Sequence, residues 1–146
     1  MNAIVEKWYP LAAAIIICGC YFFYFRKYPI PDTINNLYNI AVSISAISVG
    51  FLATSKSILF TIYDRKIIQW IKSAGLYDSL VDYMMAAIHY CFILSIMSAI
   101  GLLINMKPMP EWYSYAFGLW LFIGTAALCS CYRVIHIFSK ILRQAT

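Results

Sequence analysis

The sequence predicts an all-α, polytopic membrane protein with four transmembrane helices, and three observations predict it. First, four apolar runs, roughly Tyr9–Phe25, Leu37–Ile62, Tyr83–Met106 and Trp112–Phe138, fill most of the 146 residues. Each has about the 17–25 residues needed to cross a hydrocarbon core of about 30 Å. Second, only 12% of the chain is charged, against about 25% in a soluble domain. Third, the runs are continuous, as in Leu11–Cys18, where a membrane strand would alternate polar and apolar over about ten residues. Helices also satisfy their own backbone groups, as lipid demands. One domain over residues 1–146 is expected, an up-down bundle with helices at about 9–26, 35–63, 77–106 and 111–142. A cytoplasmic helical extension is expected over about 58–82, and both termini are placed in the cytoplasm.

Met1–Trp8 reads as a short cytoplasmic lead, with Trp8 and Tyr9 at headgroup level and Pro10 in a first helical turn. No small-x-small cleavage site precedes Arg26-Lys27, so the first run is expected to be a retained helix and not a signal peptide. It ends in the aromatic cluster Tyr21–Phe25, expected at the outer interface. The loop Tyr28–Asn36 carries two prolines, and Asp32 or Thr33 is suited to cap the next helix.

The second helix carries a narrow stripe of small, mildly polar residues: Ser43, Gly50, Thr54, Ser57 and Thr61, at spacings of seven, four, three and four. Such a stripe lets helices approach closely in lipid or lines a wet path, and the spacing alone leaves both readings open. Beyond Lys56 the apolar pattern continues into a basic amphipathic segment holding Arg65, Lys66, Trp70 and Lys72, a helix leaving the membrane or lying on it, with Gly75 as a stop. These four residues suit either a cytosolic partner or lipid headgroups. The third helix offers Ser95, Ser98, Ala99 and Gly101 for close packing. The fourth offers Ser114, Gly118, Thr125 and Cys129 on one face. The short hairpin Asn105–Glu111 makes these two helices antiparallel neighbours.

Ionisable residues at membrane depth are costly and draw functional scrutiny. Lys56, Asp82, His89 and Arg133 all fall near the inner third of the bilayer or its inner interface. They are expected to form an inner-leaflet polar cluster in which Lys56 or Arg133 approaches Asp82. A simple boundary anchor is the competing reading.

The net charge of +5 is distributed unevenly. Lys7, Lys56, Arg65, Lys66, Lys72, Arg133, Lys140 and Arg143 fall on one side, and only Arg26, Lys27 and Lys107 on the other. That asymmetry orients the chain with its termini inside and suits anionic headgroups, so direct binding to nucleic acid is not expected. The five cysteines all lie in helices, without a Cys-x-x-Cys, which disfavours a thiol-oxidising membrane enzyme. No carboxylate sits in the first helix, as a small multidrug exporter needs. No Ser/His/Asp arrangement is recognisable. Neither an enzyme, a metal nor a cofactor is expected.

The stretch Phe51–Tyr77, a small-residue helix running into a basic amphipathic segment and a Gly-x-Tyr turn, together with Phe25-Arg-Lys-Tyr-Pro29, resembles small four-helix bacterial and prophage membrane proteins. The phage-exclusion membrane subunit of the Rex system is similar in size and layout, and the membrane subunit of the Kiwa anti-phage system is a further candidate relative. The resemblance implies an oligomeric inner (plasma) membrane component of anti-phage defence that senses or perturbs the membrane together with a cytosolic partner protein. An ion-conducting channel that depolarises the membrane is the alternative. The expected partners are the lipid bilayer, further copies of the chain and that cytosolic protein.

Overall fold

The computed structural model describes residues 3–25, 33–61, 76–104 and 112–145. Four helices make up these stretches: α1 (Ala3–Cys20), α2 (Ile34–Thr61), α3 (Leu76–Leu103) and α4 (Trp112–Ala145). Helix α1 starts several residues ahead of the expected position, so Pro10 lies inside it and not in its first turn. A proline there deletes one backbone hydrogen bond, which helices in membranes tolerate.

The aromatic cluster does not form a uniform outer belt. Tyr21–Phe25 continues α1 as one turn of π-helix, a wider turn than α. Tyr21 and Phe22, neighbours in sequence, both reach α4. Tyr21 is buried and its hydroxyl pairs with Ser114 Oγ at 3.2 Å. Its ring meets Phe117 edge-on, with centroids 5.4 Å apart, and Phe22 lies 5.9 Å from Tyr115. Phe23 faces outward, 91% exposed.

The pairing order is α1–α4–α3–α2: α2 packs on α3, α3 on α4, and α1 on α4. Each packed pair is antiparallel. Tyr38 lies against Gly101 while Lys56 reaches Met85. Trp120 meets Ser98 while Cys131 meets Cys91. Tyr21 meets Ser114 while Trp8 shares a cleft with Arg133. The expected up-down arrangement of helices is therefore present, with α3 and α4 in its middle.

Small residues permit these contacts. On α2 the buried positions Tyr38, Ser45, Leu52 and Leu59 recur every seven residues. On α3 Tyr77, Met84, Cys91 and Ser98 do the same. This is the seam expected of left-handed packing at shallow angles. Polar groups inside the seam find partners, since lipid supplies none. The Trp120 indole N–H donates to Ser98 Oγ at 2.7 Å, and the Tyr38 and Tyr113 hydroxyls pair at 3.2 Å. The Tyr38 ring sits edge-on to Trp120 at 5.1 Å and fits only because position 101 is glycine.

The apolar surface of the bundle points mostly outward. Helices α2, α3 and α4 are long and apolar enough to cross a membrane, yet only 17%, 22% and 28% of their most apolar windows are buried within the chain. Such a surface is incompatible with water, and the chain is a membrane protein. The apolar part of α1, Trp8–Tyr24, is shorter.

A Cβ at position 101 would lie 2.8 Å from the Tyr38 ring, which Trp120 and Tyr113 hold in place, whereas one at position 19 meets nothing within 4 Å. Gly101→Ala should therefore destabilise the fold by about 1–3 kcal/mol through overpacking, and Gly19→Ala should not. Thermal unfolding of the two variants in detergent reads the difference.

Candidate functional site

The α2 stripe faces away from the rest of the chain. Ser43, Gly50, Thr54 and Ser57 are all exposed. Ser43 and Ser45 are two residues apart, about 200° around the helix, so the heptad through Ser45 faces α3 and the heptad through Ser43 faces out. Each hydroxyl on the stripe donates to its own helix: Ser43 to Asn39 O at 3.0 Å, Thr54 to Gly50 O at 3.0 Å, and Ser57 to Ala53 O at 3.1 Å. The donors are thereby satisfied without water or a neighbour, and a Cβ built on Gly50 meets nothing within 4 Å. The result is a smooth, shallow track along the outside of α2. The corresponding α4 residues behave differently. Ser114 and Gly118 receive α1, with the Cys18 thiol donating to Gly118 O at 3.6 Å.

Three of the four ionisable residues, Lys56, Asp82 and Arg133, lie at related depths, and His89 is two turns further along α3. Lys56 is 22 positions past Ile34, Asp82 is 21 before Leu103 and Arg133 is 21 past Trp112. At about 1.5 Å per residue each lies roughly one hydrocarbon thickness from the opposite end of its helix. They do not form one cluster. Lys56 is half-buried between α2 and α3, its ammonium donating to Met85 Sδ at 2.8 Å and lying 5.7 Å from the centre of the Phe60 ring. His89 is exposed, and its Nδ1–H donates to the Met85 carbonyl at 2.7 Å. A carbonyl only accepts, so Nδ1 holds a proton.

Asp82 and Arg133 instead share a cleft of about 740 Å³ at this end of the bundle. Helix α3 contributes Ser79, Asp82, Tyr83 and Tyr90, and α4 contributes Ser130 and Arg133. Trp8, Pro10 and Leu11 of α1 form the third wall. The cleft exists because α1 packs on α4 and not on α3 at this level, leaving a gap between them. Arg133 is only 8% exposed and its guanidinium carbon sits 3.9 Å from the Tyr83 ring centre, a stacked cation–π contact of a kind that is strong when desolvated. The Ser130 hydroxyl is fully buried at the cleft and has no hydrogen-bond partner.

Two features escaped the sequence. The Ser79–Ser130–Tyr90 lining depends on which helices pair, and carries no signal in spacing. A second polar contact also joins three helices: Cys91 Sγ and Cys131 Sγ are 3.4 Å apart, with the Ser48 hydroxyl bonded to Cys131. Cys91 is buried, 40 residues separate the two thiols, and no pattern in the sequence announces their meeting. Arg65, Lys66, Trp70 and Lys72 lie outside the described residues. Among the described residues no group of three or more His, Cys, Asp or Glu is placed to hold a metal ion. Comparison with protein-family models, curated proteins and solved structures gives no match.

Lysine cannot reproduce the flat stacking of a guanidinium on an aromatic ring. Arg133→Lys should cost about 1–2 kcal/mol of stability, while Asp82→Asn, at an exposed position, should stay within about 0.5 kcal/mol. Equal losses in thermal unfolding would contradict the assigned roles.

Proposed function

We propose that the chain is a four-span protein of a bacterial inner (plasma) membrane that assembles with copies of itself through the outward track of α2. Both termini lie in the cytoplasm, and the assembly works with a cytosolic partner protein in anti-phage defence. The observation that carries the assembly is the exposed stripe Ser43, Gly50, Thr54 and Ser57, whose hydroxyl donors are already satisfied within α2. In lipid there is no hydrophobic drive to bury it, so association comes from close backbone approach and dispersion, which small residues allow.

Other parts of the reading rest on other supports. The fourth span is supported by α1 running antiparallel to α4 from Trp8, beside Arg133, to Tyr21, beside Ser114. Orientation is supported by the excess of Lys and Arg on the side of the termini. The defence role and the cytosolic partner are supported by the resemblance over residues 51–77 and by Arg65, Lys66, Trp70 and Lys72 on the presumed cytoplasmic segment. An ion channel is the second reading. It is favoured by the hydroxyl oxygens of the same stripe, whose remaining lone pairs would face a path along the assembly axis.

Mass measurement of the complex in gentle detergent tests the assembly. Wild type should run as an oligomer, and Gly50→Leu as a monomer with unchanged helicity. A monomeric wild type would sink the proposal. In a phage-challenged host, expression should lower plaque counts and Gly50→Leu should restore them. A membrane-potential dye separates scaffold from channel. Charge reversal at Arg65 and Lys66 followed by co-purification separates partner from lipid contact.

A further inference from the structure

We propose that Cys91 and Cys131 form an oxidation site, a thiol pair that an acyl-chain hydroperoxide converts into a disulfide joining α3 to α4. The proposal stands on the α3–α4 seam and not on the α2 track, so it is independent of self-assembly.

Three observations converge. The first is proximity across two helices. The two sulfurs lie 3.4 Å apart although 40 residues separate them in the chain. Both backbones are helical there, so each sulfur moves chiefly by rotation about its χ1 bond. Such rotation, with a small shift of the helices, is what bond formation between facing thiols requires. Cys18 is placed differently: its thiol donates to the Gly118 carbonyl, which offers sulfur no partner for oxidation.

The second observation is asymmetry. Cys91 is only 3% exposed, whereas Cys131 is half-buried. A reagent arriving from the lipid therefore meets Cys131 first. The Ser48 hydroxyl of α2 also bonds to Cys131, so contacts from α2 and α3 together hold that sulfur in place. The roles follow: Cys131 is the thiol that reacts, and Cys91 is the shielded thiol that resolves.

The third is depth. Cys91 lies 12 positions from Leu103 and 15 from Leu76, about 18 and 22 Å from the two ends of α3. Charged oxidants dissolved in water do not reach that level, because hydrocarbon excludes them. A hydroperoxide on an acyl chain occupies the same medium as the pair.

The chemistry balances in two steps. Cys131 Sγ attacks the terminal peroxide oxygen and the O–O bond breaks. The departing oxygen takes the Cys131 proton and leaves as an alcohol, and Cys131 becomes a sulfenic acid. Cys91 Sγ then attacks that sulfur, the S–O bond breaks, and the hydroxyl leaves as water with the Cys91 proton. The two thiols give two electrons to the peroxide, and no net charge is left in the lipid. The new bond ties the middle helices together between the Trp120–Ser98 contact and the Arg133–Tyr83 contact, which fixes α3 against α4.

The full-length protein in vesicles of phosphatidylethanolamine and phosphatidylglycerol is treated with cumene hydroperoxide as the lipid-soluble probe, or with glutathione disulfide as the charged one. Remaining thiols are blocked with a maleimide and linked peptides are mapped by mass spectrometry. Cumene hydroperoxide should join Cys91 to Cys131 about tenfold more than any other cysteine pair, because a held neighbour outcompetes a distant one. Glutathione disulfide should leave both thiols free. Cys91→Ser should stop the reaction at the Cys131 sulfenic acid, trapped by dimedone about tenfold more than in wild type. Exposed Cys20 reports that the reagent has acted. Oxidation of Cys20 without the Cys91–Cys131 link, indiscriminate pairing, or an equal yield with glutathione disulfide would overturn the proposal. Equal dimedone trapping at Cys131 in wild type and in Cys91→Ser would do the same.

Discussion

Lipid offers no hydrogen bonds, and most of this bundle follows from that. The backbone answers by folding into helices throughout the described segments. Side chains answer in two ways. Ser43, Ser45, Thr54, Ser57 and Thr125 turn their hydroxyls back onto their own helices. Trp120, Ser98, Tyr38, Tyr113, Tyr21 and Ser114 pair across helices. The second group fixes register, because each pair closes at only one sliding position. The first group leaves its helix face chemically quiet and free to meet another apolar surface. Ser45 and Ser43 use the same bond and end on opposite sides of α2. A closed hydroxyl is therefore compatible with either a contact inside the chain or a surface outside it.

The end of the bundle that holds Lys56, Asp82 and Arg133 obeys a different rule. There the two cations each have a soft companion. Lys56 has Met85 sulfur and the Phe60 ring, and Arg133 has the Tyr83 ring. Polarizable partners of this kind lower the cost of partial desolvation without neutralising the charge. Arg133 is thus buried beneath an aromatic ring, one helical turn from the unmet Ser130 hydroxyl.

Much of this was legible in the residues, for reasons that also explain what was not. Helix positions follow from apolar runs, since a span has few alternatives once its length matches the bilayer. The shared depth of Lys56, Asp82 and Arg133 follows from counting residues. Their partners do not, because depth fixes one coordinate and leaves rotation and neighbour order open. Helix α2 carries two interleaved heptads of permissive residues, through Ser43 and through Ser45, and only the larger side chains Tyr38, Leu52 and Leu59 mark the second as the inner one. The cleft was hidden for the same reason. It requires α1 to dock on α4, and the decisive contacts, Tyr21 with Ser114 and Phe22 over Gly118, join residues far apart in the chain. The start of α1 was misplaced because Pro10 reads as a first-turn residue, whereas packing carries the helix through it.

That long-range docking of α1 sets a schedule for biogenesis. Cys18 meets Gly118 across a separation of 100 residues. At a synthesis rate of about 5–20 residues per second, α1 waits on the order of 5–20 s before its berth has been translated. During that interval the Tyr21 hydroxyl lacks its Ser114 partner, while α2 and α3 can already zip together. Helix α4 is thus the keystone: it seats itself on α3 and gathers in α1, and a chain interrupted before Trp112 would leave α1 without its berth.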